Sequence, residues 1–204
     1  MQDIAILIPA AGASSRMRGR DKLIEEVDGL PLLRRQAKRA IFTGAHVTVT
    51  VPDHDHPRAK ALAGLPVQLV AVPDADLGMS ASLRRGVSFL PDGMKALMIL
   101  PGDMPDLGTT DILTMVEHFR ATPFPMVYQA TSADGRPGHP VLFPAECFPA
   151  LAQVDGDQGA RKVLEAYKHR LRRVALPGER ALTDLDTPEA WDAWRANQDG
   201  KIPA

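Results

Sequence analysis

The chain has 204 residues, of which 24 are Lys or Arg and 25 are Asp or Glu, and its formal net charge is −1 at pH 7. This length suits one globular domain, and we predict a single domain over residues 1–204. Apolar residues make up 45% of the chain and charged residues 24%, as in ordinary soluble proteins. With so small a net charge, the protein has no overall electrostatic field that would attract nucleic acid or a membrane surface, so we predict neither as a partner. Binding of an anionic ligand would require a local cluster of cations.

The cysteine content and the N-terminus favour a reducing compartment. Cys147 is the only cysteine, which excludes an intrachain disulfide and a multi-cysteine metal site. Its neighbours in residues 143–149 are mostly apolar, which predicts a buried packing thiol. The first apolar run, residues 4–8, has no preceding basic segment and stops at Pro9, which is typical of neither a signal peptide nor a membrane span. We therefore expect a cytoplasmic protein.

Short apolar runs alternate along the chain with segments of helical periodicity. Continuous runs, typical of strands buried on both faces, occur at residues 4–8, 47–51, 67–71, 96–100, 126–129 and 140–143. Apolar positions with helical spacing lie within residues 32–41, 83–90 and 112–119. The alternation predicts an α/β fold with a Rossmann-like, mostly parallel sheet and helices on both faces. Residues 131–138 are too few for a helical crossover, so they predict one antiparallel strand pair.

The loop at residues 9–22 follows the first predicted strand, at the sheet edge where α/β folds bind ligands. The small residues 10–13 let a ligand approach the backbone closely, and Gly12 can adopt a positive φ. Backbone N–H groups of such loops bind phosphates, and residues 16–22 add four cations and one anion. The loop fits neither the P-loop nor the Gly-x-Gly-x-x-Gly pattern. It predicts a phosphate-binding loop of another kind, with a solvated basic turn as the alternative.

Three aspartates are candidates for a metal site. Asp103 follows the fourth apolar run, which directs its carboxylate into the same cleft as the loop, and an Asx turn is the alternative. Asp184 and Asp186 precede a predicted helix start at Thr187 and Pro188. Their spacing directs both carboxylates to one side of an extended segment. Either of them could therefore share a divalent cation with Asp103.

Together these stretches resemble the molybdenum cofactor nucleotidyltransferases, the MobA-like NTP transferases, and most of all their cytidylyltransferase branch. The family signature Leu/Pro-Ala-Ala-Gly-x-Ser-x-Arg-Met-Gly-x-x-Lys is followed by residues 9–22, although Arg18 adds one residue before Gly19 and so moves Lys22 one place later. Ala11 stands where the guanylyltransferase branch has glycine, a choice that the family associates with cytosine. Further similar stretches lie at residues 78–87, 101–105, 136–141, 156–161 and 184–189.

Related cytidylyltransferases of isoprenoid synthesis also begin with Pro-Ala-Ala-Gly. They lack counterparts of Gly138-His139-Pro140 and of residues 156–161, so the resemblance to them is weaker. The family resemblance also implies the nucleotide-diphospho-sugar transferase type of fold.

The resemblance implies transfer of CMP from CTP to the phosphate of molybdopterin or the molybdenum cofactor, with release of pyrophosphate and with Mg²⁺ as cofactor. The implied catalytic residues are Arg16, Lys22 and Asp103, and the metal ligands are Asp103 and Asp184, with Asp186 as the alternative to Asp184. The nucleotide is expected at Ala10, Ala11, Gly12, Ala13, Ser14, Ser15, Arg16, Lys22, Gly78, Ser80, Ser82, Pro101 and Gly102. The acceptor is expected at Gly138, His139, Pro140, Asp157, Gly159 and Arg161. A recipient molybdoenzyme or its chaperone is the implied protein partner.

Other functions fit the same residues. The chain could be a guanylyltransferase, or an NTP transferase that acts on a different phosphorylated acceptor. It could also be a non-catalytic carrier that binds the cofactor and delivers it to a target enzyme. The phosphate-binding and metal-binding residues favour an enzyme, because a carrier has no need to stabilise pyrophosphate.

Overall fold

The computed structural model describes residues 3–156 and 159–199. Seven strands form one sheet and two short strands form a separate hairpin. The strands are β1 (Ile4–Pro9), β2 (Glu26–Val27), β3 (Leu30–Pro31), β4 (His46–Val51), β5 (Gln68–Ala71), β6 (Ala96–Ile99), β7 (Val127–Thr131), β8 (Pro137–Pro144) and β9 (Leu171–Ala175).

The helices alternate with the strands along most of the chain. They are α1 (Leu32–Phe42), α2 (Pro57–Ala61), α3 (Met79–Ser88), α4 (Thr109–Ala121), α5 (Phe148–Leu151), α6 (Arg161–Ala166) and α7 (Pro188–Asp199). Across residues 3–156 and 159–199, none of these helices combines the length and the hydropathy that a membrane span requires.

The order of the strands in the sheet is β5-β4-β1-β6-β8-β7-β9. The first four strands are parallel to one another. The predicted antiparallel pair, β7 and β8, is confirmed, and β8 also runs antiparallel to β6. The predicted α/β fold is therefore confirmed. The edge strand β9 was not predicted, because the exposed Arg172 and Arg173 interrupt its apolar pattern.

The hydrophobic core lies on both faces of the sheet. Alternate residues of β1 point to opposite faces, so Ile6 and Ile8 pack with Leu33 of α1, whereas Leu7 packs with Leu83 of α3. This two-sided burial explains why the predicted strands are continuously apolar. Cys147 is fully buried in the second of these clusters, and burial raises its pKa to about 11. The predicted packing role of Cys147 is thus confirmed.

The segment after β9 returns to the start of β8 and so brings Asp184 and Asp186 to the sheet. The His139 backbone N–H donates to the carbonyl oxygen of Ala181 at 2.9 Å. The two backbones approach so closely at Gly138 that a Cβ there would lie 2.0 Å from the same oxygen. Glycine at this position therefore lets the aspartate segment dock against the sheet.

The C-terminal helix α7 packs against the loop that follows β1. The Trp191 side chain is fully buried in a cluster with Met17, Leu32 and Leu185. Arg195 stacks over the Trp191 ring at 4.9 Å and pairs with Glu25 at 2.8 Å. The loop is therefore held by residues from the far end of the chain.

Gly138→Ala is expected to lower the free energy of unfolding by about 1–3 kcal/mol or more, since the new Cβ would overlap a backbone oxygen that cannot rotate away. Urea unfolding measures this change. Gly12→Ala is the matched control, because nothing lies within 4 Å of its added Cβ, and its stability should stay near that of the original protein. A Gly138→Ala protein of unchanged stability would contradict the close docking of the two segments.

Candidate active site

In the loop that follows β1, the left-handed backbone conformation occurs at Ser14 and Arg18 rather than at Gly12. Ser14 has φ 51° and ψ 34°, and Arg18 has φ 53° and ψ 47°, so both adopt the left-handed conformation. Gly12 can adopt a positive φ but does not do so here, since it is not among the residues with positive φ. Open space surrounds its missing Cβ. Gly12 therefore leaves room for a ligand beside the backbone, and Ser14 makes the turn.

Lys22 lies between two carboxylates from distant parts of the chain. Its Nζ donates to Asp103 Oδ2 at 2.5 Å and to Asp186 Oδ1 at 2.6 Å. Arg16 pairs with the other oxygen of Asp186 at 2.5 Å. Only 19% of the Lys22 side chain, 17% of Asp103 and 18% of Asp186 are exposed. Burial alone would lower the pKa of Lys22, but the two carboxylates outweigh it and raise the pKa, so Lys22 stays cationic.

Asp184 and Asp186 differ in their electrostatic environment. Burial and the charges of Asp186 and Asp103 raise the pKa of Asp184. Burial would raise the pKa of Asp186 as well. The hydrogen bond and charge of Lys22 and the charge of Arg16 outweigh burial, so the pKa of Asp186 is lowered. Asp186 is therefore the more acidic member of the pair.

Neighbouring elements hold the turn that carries Asp103. The Leu185 N–H donates to the carbonyl oxygen of Asp103 at 3.1 Å, which joins the two aspartate segments directly. On the other side, Gln36 of α1 donates to the carbonyl oxygen of Met104 at 2.9 Å. Arg39 of α1 donates to the carbonyl oxygens of the next residues in the same loop. The predicted start of α7 is confirmed, since the Thr187 hydroxyl accepts the Ala190 N–H at 3.2 Å.

A cavity of about 730 Å³ opens beside Lys22 and the two carboxylates. It lies at the carboxyl ends of β1 and β6, as expected for ligand sites in α/β folds. The predicted site residues that line it are Ala10, Gly12, Ala13, Ser14, Ser15, Arg16, Lys22, Gly78, Ser82, Pro101, Gly102, Asp103, His139, Gly159, Arg161 and, from the alternative pair, Asp186.

Five predicted site residues do not line this cavity: Ala11, Ser80, Gly138, Pro140 and Asp184. Ala11 is buried against Val72 and Ala81, and the Ser80 hydroxyl donates to the carbonyl oxygen of Leu77. Asp157 lies outside the described residues.

His139 and Asp103 both line the cavity. Desolvation lowers the pKa of its imidazole, and the charge of Asp103 opposes this effect without cancelling it. The imidazole is therefore neutral at pH 7, and it can donate or accept a hydrogen bond there without adding a charge.

Arg58 of α2 is a buried cation at the site that the sequence patterns do not predict. Its side chain is only 3% exposed. The guanidinium donates to the carbonyl oxygens of Ala10 at 2.7 Å and Gly12 at 2.6 Å, and it pairs with Asp21 at 2.7 Å. The only available signal was its place shortly after β4, whose carboxyl end shares the sheet edge with β1.

Comparison with known proteins agrees with this geometry. Residues 6–172 match the MobA-like NTP transferase domain. The chain belongs to the MobA-like NTP transferase family. It is 30% identical over 192 residues to the molybdenum cofactor guanylyltransferase of Cupriavidus metallidurans, with 91% of each chain covered. It is also 28% identical over 197 residues to the purine catabolism protein PucB of Bacillus subtilis, with 91% and 93% covered.

A solved structure shows the same fold. Rv0371c from Mycobacterium tuberculosis superposes with a TM-score of 0.80 and 24% identity, covering 97% of this chain and 98% of the other. Another crystal structure of that protein is described as a complex with manganese and has a TM-score of 0.76. The predicted family and its reaction class, nucleotidyl transfer, are confirmed, while the cytidylyltransferase branch stays a prediction.

Asp184→Asn is expected to raise thermal stability at pH 7. The pKa of Asp184 is raised in the folded state, so the ionised carboxylate lowers the stability at every pH above that pKa. The neutral amide of asparagine removes the repulsion from Asp186 and Asp103. The cost fades as the pH falls through the folded pKa and is gone below the ordinary value of 3.8. Unfolding temperatures of both proteins between pH 8 and pH 3 measure the difference. An advantage that grows toward low pH would contradict the assignment.

Proposed function

We propose that the chain transfers CMP from CTP to the phosphate of a molybdopterin-type acceptor and releases pyrophosphate. The observation that carries the proposal is the pair of carboxylates, Asp103 and Asp186, that converge on one cation at the wall of a cavity. The other wall of this cavity is the loop that resembles a nucleotide-binding loop. Acid groups that hold a cation beside a phosphate-binding loop are what nucleotidyl transfer requires.

The two carboxylates fit a divalent cation. Their oxygens already converge on a positive charge, since the Lys22 ammonium lies within 2.6 Å of both. Carboxylate pairs combined with substrate phosphates are typical of Mg²⁺ sites. We assign Asp103 and Asp186 as ligands, with Asp184 behind them, and the manganese in the mycobacterial relative supports a divalent ion. When bound, Mg²⁺ would act as a Lewis acid toward the phosphates and would neutralise part of their charge.

During the reaction, Lys22 and Arg16 would exchange their carboxylate partners for phosphate groups. Without a nucleotide, Lys22 neutralises Asp103 and Asp186, and Arg16 neutralises Asp186. The triphosphate supplies competing oxygens, so both cations can pair with the β- and γ-phosphates and stabilise the pyrophosphate that leaves. The bond from the acceptor phosphate oxygen to the α-phosphorus forms as the α–β bridge breaks. This nucleophile is already anionic, so positioning and charge neutralisation suffice without a general base.

Ala11 supports cytosine as the base, although by another route than the sequence suggested. Its methyl group does not line the cavity but packs against Ala81 of α3 and Val72. Ala11 therefore sets the distance between the loop and the start of α3, where Gly78 and Ser82 form part of the cavity wall. GTP is the second candidate donor, because relatives over 90% or more of this chain are named molybdenum cofactor guanylyltransferases.

The acceptor is assigned to the part of the cavity lined by His139, Gly159 and Arg161. Arg161 would bind the acceptor phosphate through its guanidinium, and the neutral His139 would hydrogen-bond a polar group without repelling it. A recipient molybdoenzyme or its chaperone would then take the product.

The function is tested by a pyrophosphate-release assay that crosses CTP and GTP with a molybdopterin acceptor in the presence of Mg²⁺. We expect release with CTP that depends on the acceptor, and a shift toward GTP in Ala11→Gly, because the loop loses its contact with α3. Pyrophosphate release with GTP but not with CTP would contradict the cytidylyl assignment. Binding of the acceptor without pyrophosphate release from either nucleotide would identify a carrier.

Asp103→Ala and Asp186→Ala are each expected to reduce turnover by about 10²–10³-fold, the usual cost of removing one electrostatic group from a transition state. Asp184→Ala should reduce it less, because Asp184 does not line the cavity. Steady-state pyrophosphate release measures all three, with circular dichroism as the folding control. If Asp184→Ala reduced turnover more than Asp186→Ala, the assignment of Asp186 as the metal ligand would be wrong.

Lys22→Met is expected to strengthen Mn²⁺ binding in the absence of nucleotide and to reduce turnover. Lys22 competes with the metal ion for both carboxylates, so its removal frees them, while the leaving pyrophosphate loses a cation. Electron paramagnetic resonance of free Mn²⁺ gives the affinity. Weaker or unchanged Mn²⁺ binding in Lys22→Met would show that the ammonium and the metal ion do not share the site.

A further inference from the structure

All five N–H groups of the Arg58 guanidinium donate to the loop that follows β1. Nε and Nη2 donate to the two carboxylate oxygens of Asp21 at 2.7 and 2.8 Å. Nη1 donates to the carbonyl oxygens of Ala10 and Gly12 at 2.7 and 2.6 Å, and Nη2 also donates to the Ser14 hydroxyl at 2.8 Å. Since a guanidinium has five donors and no more, none is left for a phosphate.

These bonds determine how the peptide groups of the loop are oriented. A peptide unit is planar and trans, so its N–H points away from its own carbonyl oxygen. With the carbonyl oxygens of Ala10 and Gly12 fixed on Arg58, the N–H groups of Ala11 and Ala13 point away from it. Ser14, which has an unfavourable left-handed backbone at φ 51°, is held there through its hydroxyl. Arg58 thus sets the direction of the Ala10–Ala11 and Gly12–Ala13 peptide groups and holds Ser14 through its side chain.

We propose that Arg58 is the positioning residue that keeps this loop in its nucleotide-binding conformation, with Asp21 as its counter-charge. The inference rests on the proposed binding of a nucleoside triphosphate. Arg58 acts on the ligand through the loop, because its donors are saturated within the protein.

The Asp21 contact supports this role. Burial would raise the pKa of Asp21, but the hydrogen bonds and charge of Arg58 lower it, so Asp21 is anionic at neutral pH. Asp21 does not line the cavity. Any effect of an Asp21 substitution on nucleotide affinity is therefore either long-range electrostatics or a change in the loop.

These two effects have opposite signs in Asp21→Asn. Removal of a negative charge near the cavity would by itself strengthen the binding of an anionic triphosphate. Loss of the bidentate pair with Arg58 would loosen the loop and weaken the binding. We expect a dissociation constant about tenfold higher, as for one lost charge-assisted hydrogen bond. Isothermal titration calorimetry with CTP, and with GTP in parallel, measures it in Mg²⁺ buffer.

Arg58→Met is the stronger variant, and Arg34→Met is its matched control. Arg34 of α1 donates to the carbonyl oxygens of Ala61 and Ala63, at the other end of α2 and away from the loop. Both variants remove a guanidinium that binds backbone oxygens. We expect Arg58→Met to lower kcat/KM about 100-fold, mainly by raising KM. Arg34→Met should keep the KM and the nucleotide affinity of the original protein, even if its unfolding temperature is lower.

The outcomes separate the two hypotheses. If the original protein binds neither CTP nor GTP, the proposed function fails. If it binds one of them and Asp21→Asn binds that nucleotide equally well or more tightly, the positioning role of Arg58 is overturned and the function stands. Equal KM values in Arg58→Met and Arg34→Met would also overturn it. Should Arg58→Met not fold, Asp21→Asn decides the question, because it keeps the size and shape of the side chain.

Discussion

The site depends on one cation held between two like charges. Asp103 and Asp186 lie 83 residues apart in the chain, and Lys22 pairs with both of them. Partly buried carboxylates repel each other unless a cation lies between them. In this structure the cation is an ammonium from the protein itself, and it holds the two acid groups together at the cavity wall. With the metal ion and nucleotide that we propose, this arrangement would avoid a large rearrangement on binding, at the expense of a competition between Lys22 and the metal ion.

The fold brings the three groups together through the carboxyl edge of the sheet. Lys22 follows β1, Asp103 follows the adjacent parallel strand β6, and Asp186 arrives through the segment docked at Gly138. The remaining support comes from side chains that bind the backbone of these loops. Gln36 and Arg39 hold the loop after Asp103, and Arg58 holds the loop after β1. Neighbouring side chains therefore hold the two loops that carry Lys22 and Asp103, and the proposed catalysis by positioning would require this.

Features encoded in short stretches of sequence were predictable. The parallel strands, the antiparallel pair β7 and β8, and the positions of the loop after β1 and of Asp103 at one edge of the sheet all follow from apolar runs and the residues next to them. The choice between Asp184 and Asp186 was not predictable. Two carboxylates at i and i+2 share a side of an extended chain, and only the position of Lys22 determines which one faces the cavity.

Features that depend on distant contacts could not be read from the sequence. Arg58 binds residues 37 to 48 positions away, and nothing near it in the sequence marks it as part of the site. The left-handed conformation of Ser14 was not predictable either. Glycine is the usual left-handed residue, whereas here a hydroxyl bound to Arg58 stabilises the serine. Strand β9 was missed because arginines on an edge strand remain in solvent and break the apolar pattern.

The most direct test of this account is the nitrogen-15 NMR signal of the Lys22 ammonium. An ammonium held by two carboxylates in a site that is four-fifths buried should exchange its protons slowly and give a resolved signal, which Lys22→Arg would remove and so assign. The account predicts that this signal broadens in Asp186→Ala and shifts when Mg²⁺ and CTP are added together. A Lys22 signal that exchanges as fast as that of exposed lysines, in the presence and absence of ligands, would contradict it.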